Sequence, residues 1–210
     1  MTPLSFVLAD PAAAPSEPGS TGSPVVLEDD PMAEVGGPSR EALAKAILDA
    51  AYLEGDFVLS SGARSSYYLD KYLFETRPEI LRPVARELAQ LIPRGVDRIA
   101  GPELGAVALA TALSLETGLP FVIVRRAAKE YSTTKHVEGV LRPVDRVVVV
   151  EDIITTGAQA LRAARLIVEA GATVEAILAV VDREEGGAEA ITDAGFELRS
   201  LFGRRDLGLR

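Results

Sequence analysis

Val147-Val148-Val149-Val150-Glu151-Asp152-Ile153-Ile154-Thr155-Thr156-Gly157-Ala158-Gln159 runs from four valines through two adjacent acids into a loop of small residues. Four consecutive valines leave no polar face, so a strand made of them is covered on both sides, as happens when crossover helices flank a parallel sheet. The neighbouring sequence repeats the arrangement. Strands are expected over 98–100, 121–124, 146–150, 174–181 and 197–201, and helices over about 105–116, 158–170 and 188–194. This alternation predicts an α/β fold with a mainly parallel sheet flanked by helices, in which ligands bind beyond the carboxyl ends of the strands.

Upstream, Ser39 can cap a helix carrying Leu43, Ile47, Leu48 and Ala51 at helical spacing and ending near Gly55. Short strands over 57–59 and 67–69 are expected around a Ser60-Ser61-Gly62 turn, and Ile80, Leu81, Val84, Leu88 and Leu91 mark the buried face of a second helix. Residues 1–39 hold seven of the 13 prolines and six acids, with no Lys or Arg, and read as a disordered acidic tail. The folded domain is therefore expected over 40–210, a length that suits one domain.

The net charge of -9 argues against a general nucleic-acid binder, which needs a basic face. The absence of cysteine excludes disulfides, zinc–thiolate sites, iron–sulfur clusters and thiol nucleophiles. The first basic residue is Arg40, and no apolar run approaches the roughly 20 residues that span a bilayer, so neither secretion nor a membrane partner is expected and the cytoplasm is the expected location.

The loop Thr155-Thr156-Gly157-Ala158-Gln159 offers hydroxyls and backbone N–H groups at a helix amino terminus, where a phosphate is favoured. Glu151 and Asp152 would repel that phosphate unless they serve another group, and the vicinal hydroxyls of a ribose are suitable donors. Fixed negative charge there also stabilises the oxocarbenium character that develops when an activated ribose is cleaved at its anomeric carbon. The simpler reading, with Asp152 capping a turn and Glu151 facing water, leaves the Thr-rich loop unexplained. A Walker loop does not fit, since no Lys follows the glycine.

This strand, acid pair and Thr-rich loop together resemble the phosphoribosyl pyrophosphate motif of type I phosphoribosyltransferases. From about Arg40 onward the chain resembles the orotate phosphoribosyltransferases among them. The segment 57–70, with Ser61-Gly62 and Ser66-Tyr67-Tyr68, resembles their amino-terminal substrate-side element, although some members carry Lys where this chain has Ser60. Gly101-Pro102-Glu103-Leu104-Gly105-Ala106 resembles their pyrophosphate loop. Arg125-Arg126-Ala127-Ala128-Lys129-Glu130-Tyr131-Ser132 resembles their basic lid, which often has His-Gly in place of Tyr131-Ser132. Asp182-Arg183-Glu184-Glu185 resembles the segment whose Arg grips the orotate carboxylate.

The resemblance implies phosphoribosyl pyrophosphate bound by Arg125, Arg126, Lys129, Tyr131, Glu151, Asp152, Ile153, Ile154, Thr155, Thr156, Gly157, Ala158 and Gln159. It implies orotate held by Thr155 and Arg183, with Lys129, Glu151 and Asp152 as the catalytic groups. It further implies Mg2+ held mainly by substrate rather than by protein side chains, and a homodimer with shared active sites. Two alternatives stay open: a phosphoribosyltransferase for a purine or another base, and a non-catalytic regulator on the same fold.

Overall fold

The computed structural model describes residues 37–58, 64–126 and 136–209. The chain enters helix α1 (Arg40–Ala51), whose start is fixed by Ser39 Oγ accepting the Ala42 N–H at 3.2 Å, a cap that contributes about 1 kcal/mol. The helix stops at Ala51 rather than near Gly55, because Tyr52 turns into an extended conformation and pairs with Leu69. That pairing joins β1 (Tyr52–Val58) to β2 (Arg64–Leu69) as an antiparallel hairpin, in which the rings of Tyr52 and Tyr67 stack at 5.6 Å. Cross-strand aromatic contact here overrides the helical spacing that continues in the sequence. The expected Ser60-Ser61-Gly62 turn lies outside the described residues.

A short helix α2 (Tyr72–Glu75) and the longer α3 (Pro78–Leu91) lead into β3 (Arg98–Pro102), α4 (Ala106–Thr117) and β4 (Phe121–Val124). Then follow β5 (Val137–Glu138), β6 (Arg146–Ile154), α5 (Ala158–Glu169), β7 (Thr173–Asp182), α6 (Gly187–Asp193) and β8 (Leu198–Gly203). The six-stranded sheet has the order β5-β4-β3-β6-β7-β8, with only β5 antiparallel to its neighbour. The mainly parallel α/β sheet expected from the sequence is present; α2 and β5, each too short to show a period, were not expected.

Residue alternation along β6 sorts its valines. Val148 and Val150 pack with α1, α3 and α4, whereas Val147 and Val149 pack with α5. Each fully buried valine stabilises the fold by roughly 1.5–3 kcal/mol relative to exposure. β6 also runs four residues beyond Val150, because β7 pairs with it as far as Ile154 opposite Asp182. Glu151 and Asp152 therefore sit inside the last part of the strand, not after it.

The amino end of β6 is closed by charge pairing. Asp145 Oδ2 accepts Arg98 Nε at 2.8 Å and the Arg142 N–H at 2.9 Å, both Arg98 and Asp145 being buried. Beside them Arg146 makes two 2.9 Å bonds to the Glu175 carboxylate, and its N–H donates to Asp97 at 2.8 Å.

Candidate active site

At the carboxyl end of β6 the same alternation divides the acid pair between the two faces of the sheet. Asp152 points to the side of α2, where Lys71 Nζ lies 2.6 Å from its Oδ2. Glu151 points to the side of α5, where its Oε2 accepts Gln159 Nε2 at 3.2 Å. Both carboxyl groups are buried at 2% exposure. Glu75, one helical turn after Lys71, is buried to the same degree, and its Oε1 has no hydrogen-bond partner.

Three carboxyl groups thus share one ammonium. Burial, reinforced by Asp152, pushes Glu75 up to about 9, and burial with the same neighbour pushes Glu151 up to about 8. Burial pulls Lys71 down, but Asp152, Glu151 and Glu75 more than offset it, so its value lies above that of an ordinary lysine. The raised proton affinity of Glu75 and Glu151 follows from crowding buried carboxyl groups beside a single ammonium.

A cleft of about 1050 Å³ opens over this floor. Ile153, Ile154, Thr155, Thr156, Gly157, Ala158 and Gln159 line it as β6 turns into α5, together with Arg126, Arg183 and Lys71. Gly157 caps α5 with φ +73°, a conformation that a side chain disfavours. The loop is also seated against the start of α6. A Cβ on Gly187 would come within 2.4 Å of Ile154 Cγ2 and 2.5 Å of the Thr155 carbonyl oxygen. Gly105 has a similar constraint, since a Cβ there would fall 2.0 Å from Asp152 Oδ2 and 2.6 Å from Lys71 Nζ. The Gly-Pro segment is therefore drawn tightly against the acid cluster.

Arg126 donates through Nη2 to Gln159 Oε1 at 3.0 Å, which links the stem of the basic loop through Gln159 to Glu151. Its N–H donates to Glu103 Oε1 at 2.5 Å. Arg125, by contrast, is held between Glu103 at 3.7 Å and Glu138 at 3.4 Å and is not among the cleft-lining residues. Lys129 and Tyr131 lie outside the described residues.

Arg183 follows β7 and is buried at the edge of the cleft. Its guanidinium stands 5.4 Å from the centre of the Tyr67 ring, and one Nη2 lies 2.7 Å from Glu185 Oε1. Its Nε has no partner. An unpaired buried guanidinium N–H is costly unless a ligand completes it, and a planar carboxylate is the acceptor that matches its fork.

Of the residues expected from the sequence, Arg126, Glu151, Asp152, the 153–159 segment and Arg183 line one cleft; Lys71 and Glu75 were not expected there, and Glu103 was expected only as part of the Gly-Pro segment. The signal for Lys71 and Glu75 was Lys71 placed directly after Tyr67-Tyr68-Leu69-Asp70, with an acid four residues later in an otherwise apolar run. Among the described residues no three His, Cys, Asp or Glu side chains are grouped to hold a metal ion, and no helix is long and apolar enough to cross a membrane.

The central strand of the mainly parallel sheet, ending in paired acids and a glycine-bearing loop, lies within residues 74–196, which match the family described as the phosphoribosyl transferase domain, and the chain is a phosphoribosyltransferase. The orotate phosphoribosyltransferase of Methanocella arvoryzae is 48% identical over 153 residues, covering 73% of this chain and 87% of that protein. Orotate phosphoribosyltransferase from Mycobacterium tuberculosis, solved in complex with Fe(III) dicitrate, is 34% identical with a TM-score of 0.74, covering 82% of this chain and all of the other (100%). The same enzyme in complex with 5-phospho-α-D-ribosyl 1-diphosphate is 33% identical over the same shares, 82% and 100%, with a TM-score of 0.70. The chain belongs to the orotate phosphoribosyltransferase family.

Proposed function

We propose that this chain transfers the phosphoribosyl group of phosphoribosyl pyrophosphate to orotate, giving orotidine 5′-monophosphate and pyrophosphate in the synthesis of pyrimidine nucleotides. The observation that carries this reading is the unpartnered Nε of buried Arg183, at the edge of a cleft whose floor is Glu151 and Asp152. A carboxylated base completes that guanidinium, whereas a purine has no carboxylate to offer it.

In this reading Thr155, Thr156, Gly157, Ala158 and Gln159 hold the 5′-phosphate at the start of α5, and Glu151 and Asp152 accept from the ribose hydroxyls. Ile153 and Ile154 form the wall beside the sugar, while Thr155 and Arg183 hold orotate. The ring nitrogen of orotate bonds to the anomeric carbon and gives up its proton as the bond to pyrophosphate breaks, with the electron pair leaving on pyrophosphate oxygen, which can take that proton. Positive character at the anomeric carbon is stabilised by the carboxyl groups of the floor as the transition state forms. Arg126, Lys129 and Tyr131 take up the departing pyrophosphate, and Arg125 joins them by exchanging Glu103 and Glu138 for phosphate.

Mg2+ suits the hard oxygens of pyrophosphate and ribose that would lie over this acidic floor, and when bound it neutralises charge on the leaving group. The protein works in the cytoplasm as a homodimer, the state the family resemblance implies.

The test is loss of orotate absorbance with phosphoribosyl pyrophosphate and Mg2+, with adenine, hypoxanthine and uracil in parallel. Arg183→Ala should raise the KM for orotate about 10–100-fold, the value of a lost charge-assisted pair, with little change in the KM for phosphoribosyl pyrophosphate. Turnover of an uncarboxylated base in preference to orotate would overturn the assignment.

A further inference from the structure

Lys71 is not part of the phosphate loop, the acid pair or the basic loop, yet it is the cation nearest the catalytic floor. Its side chain is 23% exposed and its Nζ stands 2.6 Å from Asp152 Oδ2, an oxygen that no well-directed hydrogen bond reaches. The ammonium faces Asp152 and Glu151 from β6 and Glu75 from its own helix, with the Tyr72 ring 5.5 Å away. Gly105 packs against both members of the pair, and a side chain there would have to displace the Lys71 ammonium or the Asp152 carboxylate. Gln159 occupies the remaining approach to Glu151 and carries Arg126 on its other side.

We infer that Lys71 is a positioning residue for phosphoribosyl transfer, holding the Asp152 carboxylate oriented toward the ribose by ion pairing from the wall of the cleft. The inference rests on the proposed reading of the cleft as the phosphoribosyl site. Its logic is electrostatic. Without the ammonium, three buried carboxyl groups would crowd one another uncompensated, and the floor would lose the held negative charge that a cationic sugar requires. Lysine suits this place because its ammonium is a compact point charge on a long apolar stem, which reaches Asp152 from the start of α2 at the cleft wall.

The experiment compares the full-length wild type with Lys71→Met and Lys71→Arg, measuring kcat and both KM values from pH 6 to 10. A supporting residue removed from behind a catalytic group typically costs about 10–100-fold, and that loss is expected in kcat/KM for phosphoribosyl pyrophosphate, with the KM for orotate within about twofold of wild type. The acid limb of the Lys71→Met profile should move up by about 1–3 pH units, the usual effect of a neighbouring cation on a carboxylate, so that high pH partly restores activity. Lys71→Arg should recover most of the loss.

If Lys71→Met does not fold, Lys71→Met combined with Glu75→Gln removes one buried acid along with the cation, and the same shift in profile is expected. A uniform loss at every pH, a loss confined to the KM for orotate, or wild-type kinetics would overturn the inference. Absence of turnover in the wild type would instead overturn the proposed reaction. In that event, thermal stabilisation of wild type and Lys71→Met by phosphoribosyl pyrophosphate alone is compared; equal stabilisation would overturn the role of Lys71, and weaker stabilisation of the variant would support it.

Discussion

The two ends of β6 hold charge in opposite ways. At the amino end every carboxylate has a matched donor: Arg98 and the Arg142 N–H meet Asp145, and Arg146 meets Glu175 and Asp97. At the carboxyl end three carboxyl groups converge on Lys71, and Glu75 retains an oxygen with no partner. The first end is matched donor to acceptor, from the buried Arg98–Asp145 pair to the exposed Arg146 at the strand root. The second is short of positive charge and short of donors, and a ligand that brings hydroxyls and cationic character supplies both.

The largest expected effect comes from Asp152→Asn, which should lower kcat/KM about 10²–10³-fold, as loss of a preorganised electrostatic group does, while leaving thermal stability within a few degrees of wild type. Asp145→Ala should do the reverse. Breaking a buried pair costs about 3–5 kcal/mol, or roughly 6–20 °C in a domain of this size, with turnover per folded molecule unchanged. Calorimetry and steady-state kinetics on the two variants check both; if Asp145→Ala damaged catalysis or Asp152→Asn unfolded the chain, the division of labour along β6 would fail.

A smaller effect tests the charge shortage itself. Glu75 in the folded protein is raised from 4.5 to about 9, so the stability associated with its bound proton is fully present below about pH 4.5 and is lost as pH rises through 9. Glu75→Gln, which cannot ionise, should match wild type near pH 5 and melt several degrees higher near pH 9. Parallel melting curves at both pH values would refute the raised affinity. Least of all, Glu185→Gln should lower the KM for orotate about two- to threefold, since a surface-type ion pair is worth under about 1 kcal/mol and Glu185 now occupies one Nη2 of Arg183.

The sheet and half of the site were legible because their information is local in sequence. Val147 to Gln159 is one continuous stretch in which strand, acids and loop follow one another, so a pattern read along the chain is also a pattern in space. Arg183 was found the same way, as the residue after a strand. Lys71 and Glu75 were not, because their role depends on α2 meeting β6 across about 80 positions of sequence, and four residues of helix show no period to announce it. The position of Asp152 also differed from expectation. The valine run marks where a strand is most apolar, whereas pairing with β7 determines how far it extends.

The seat of Gly187 against Ile154 and Thr155 has a consequence for how base preference can evolve. The segment that presents Arg183 begins α6, and the first residue of α6 is pressed into the loop that would take the 5′-phosphate. In the proposed reading, recognition of the base and recognition of the sugar phosphate would be mechanically one part. Grafting a foreign segment with any side chain at 187 would spread the phosphate loop and lose the shared substrate along with the old base. On the proposed reading, a change of base preference would have to keep the glycine at 187, which restricts the exchange of parts between relatives that act on different bases.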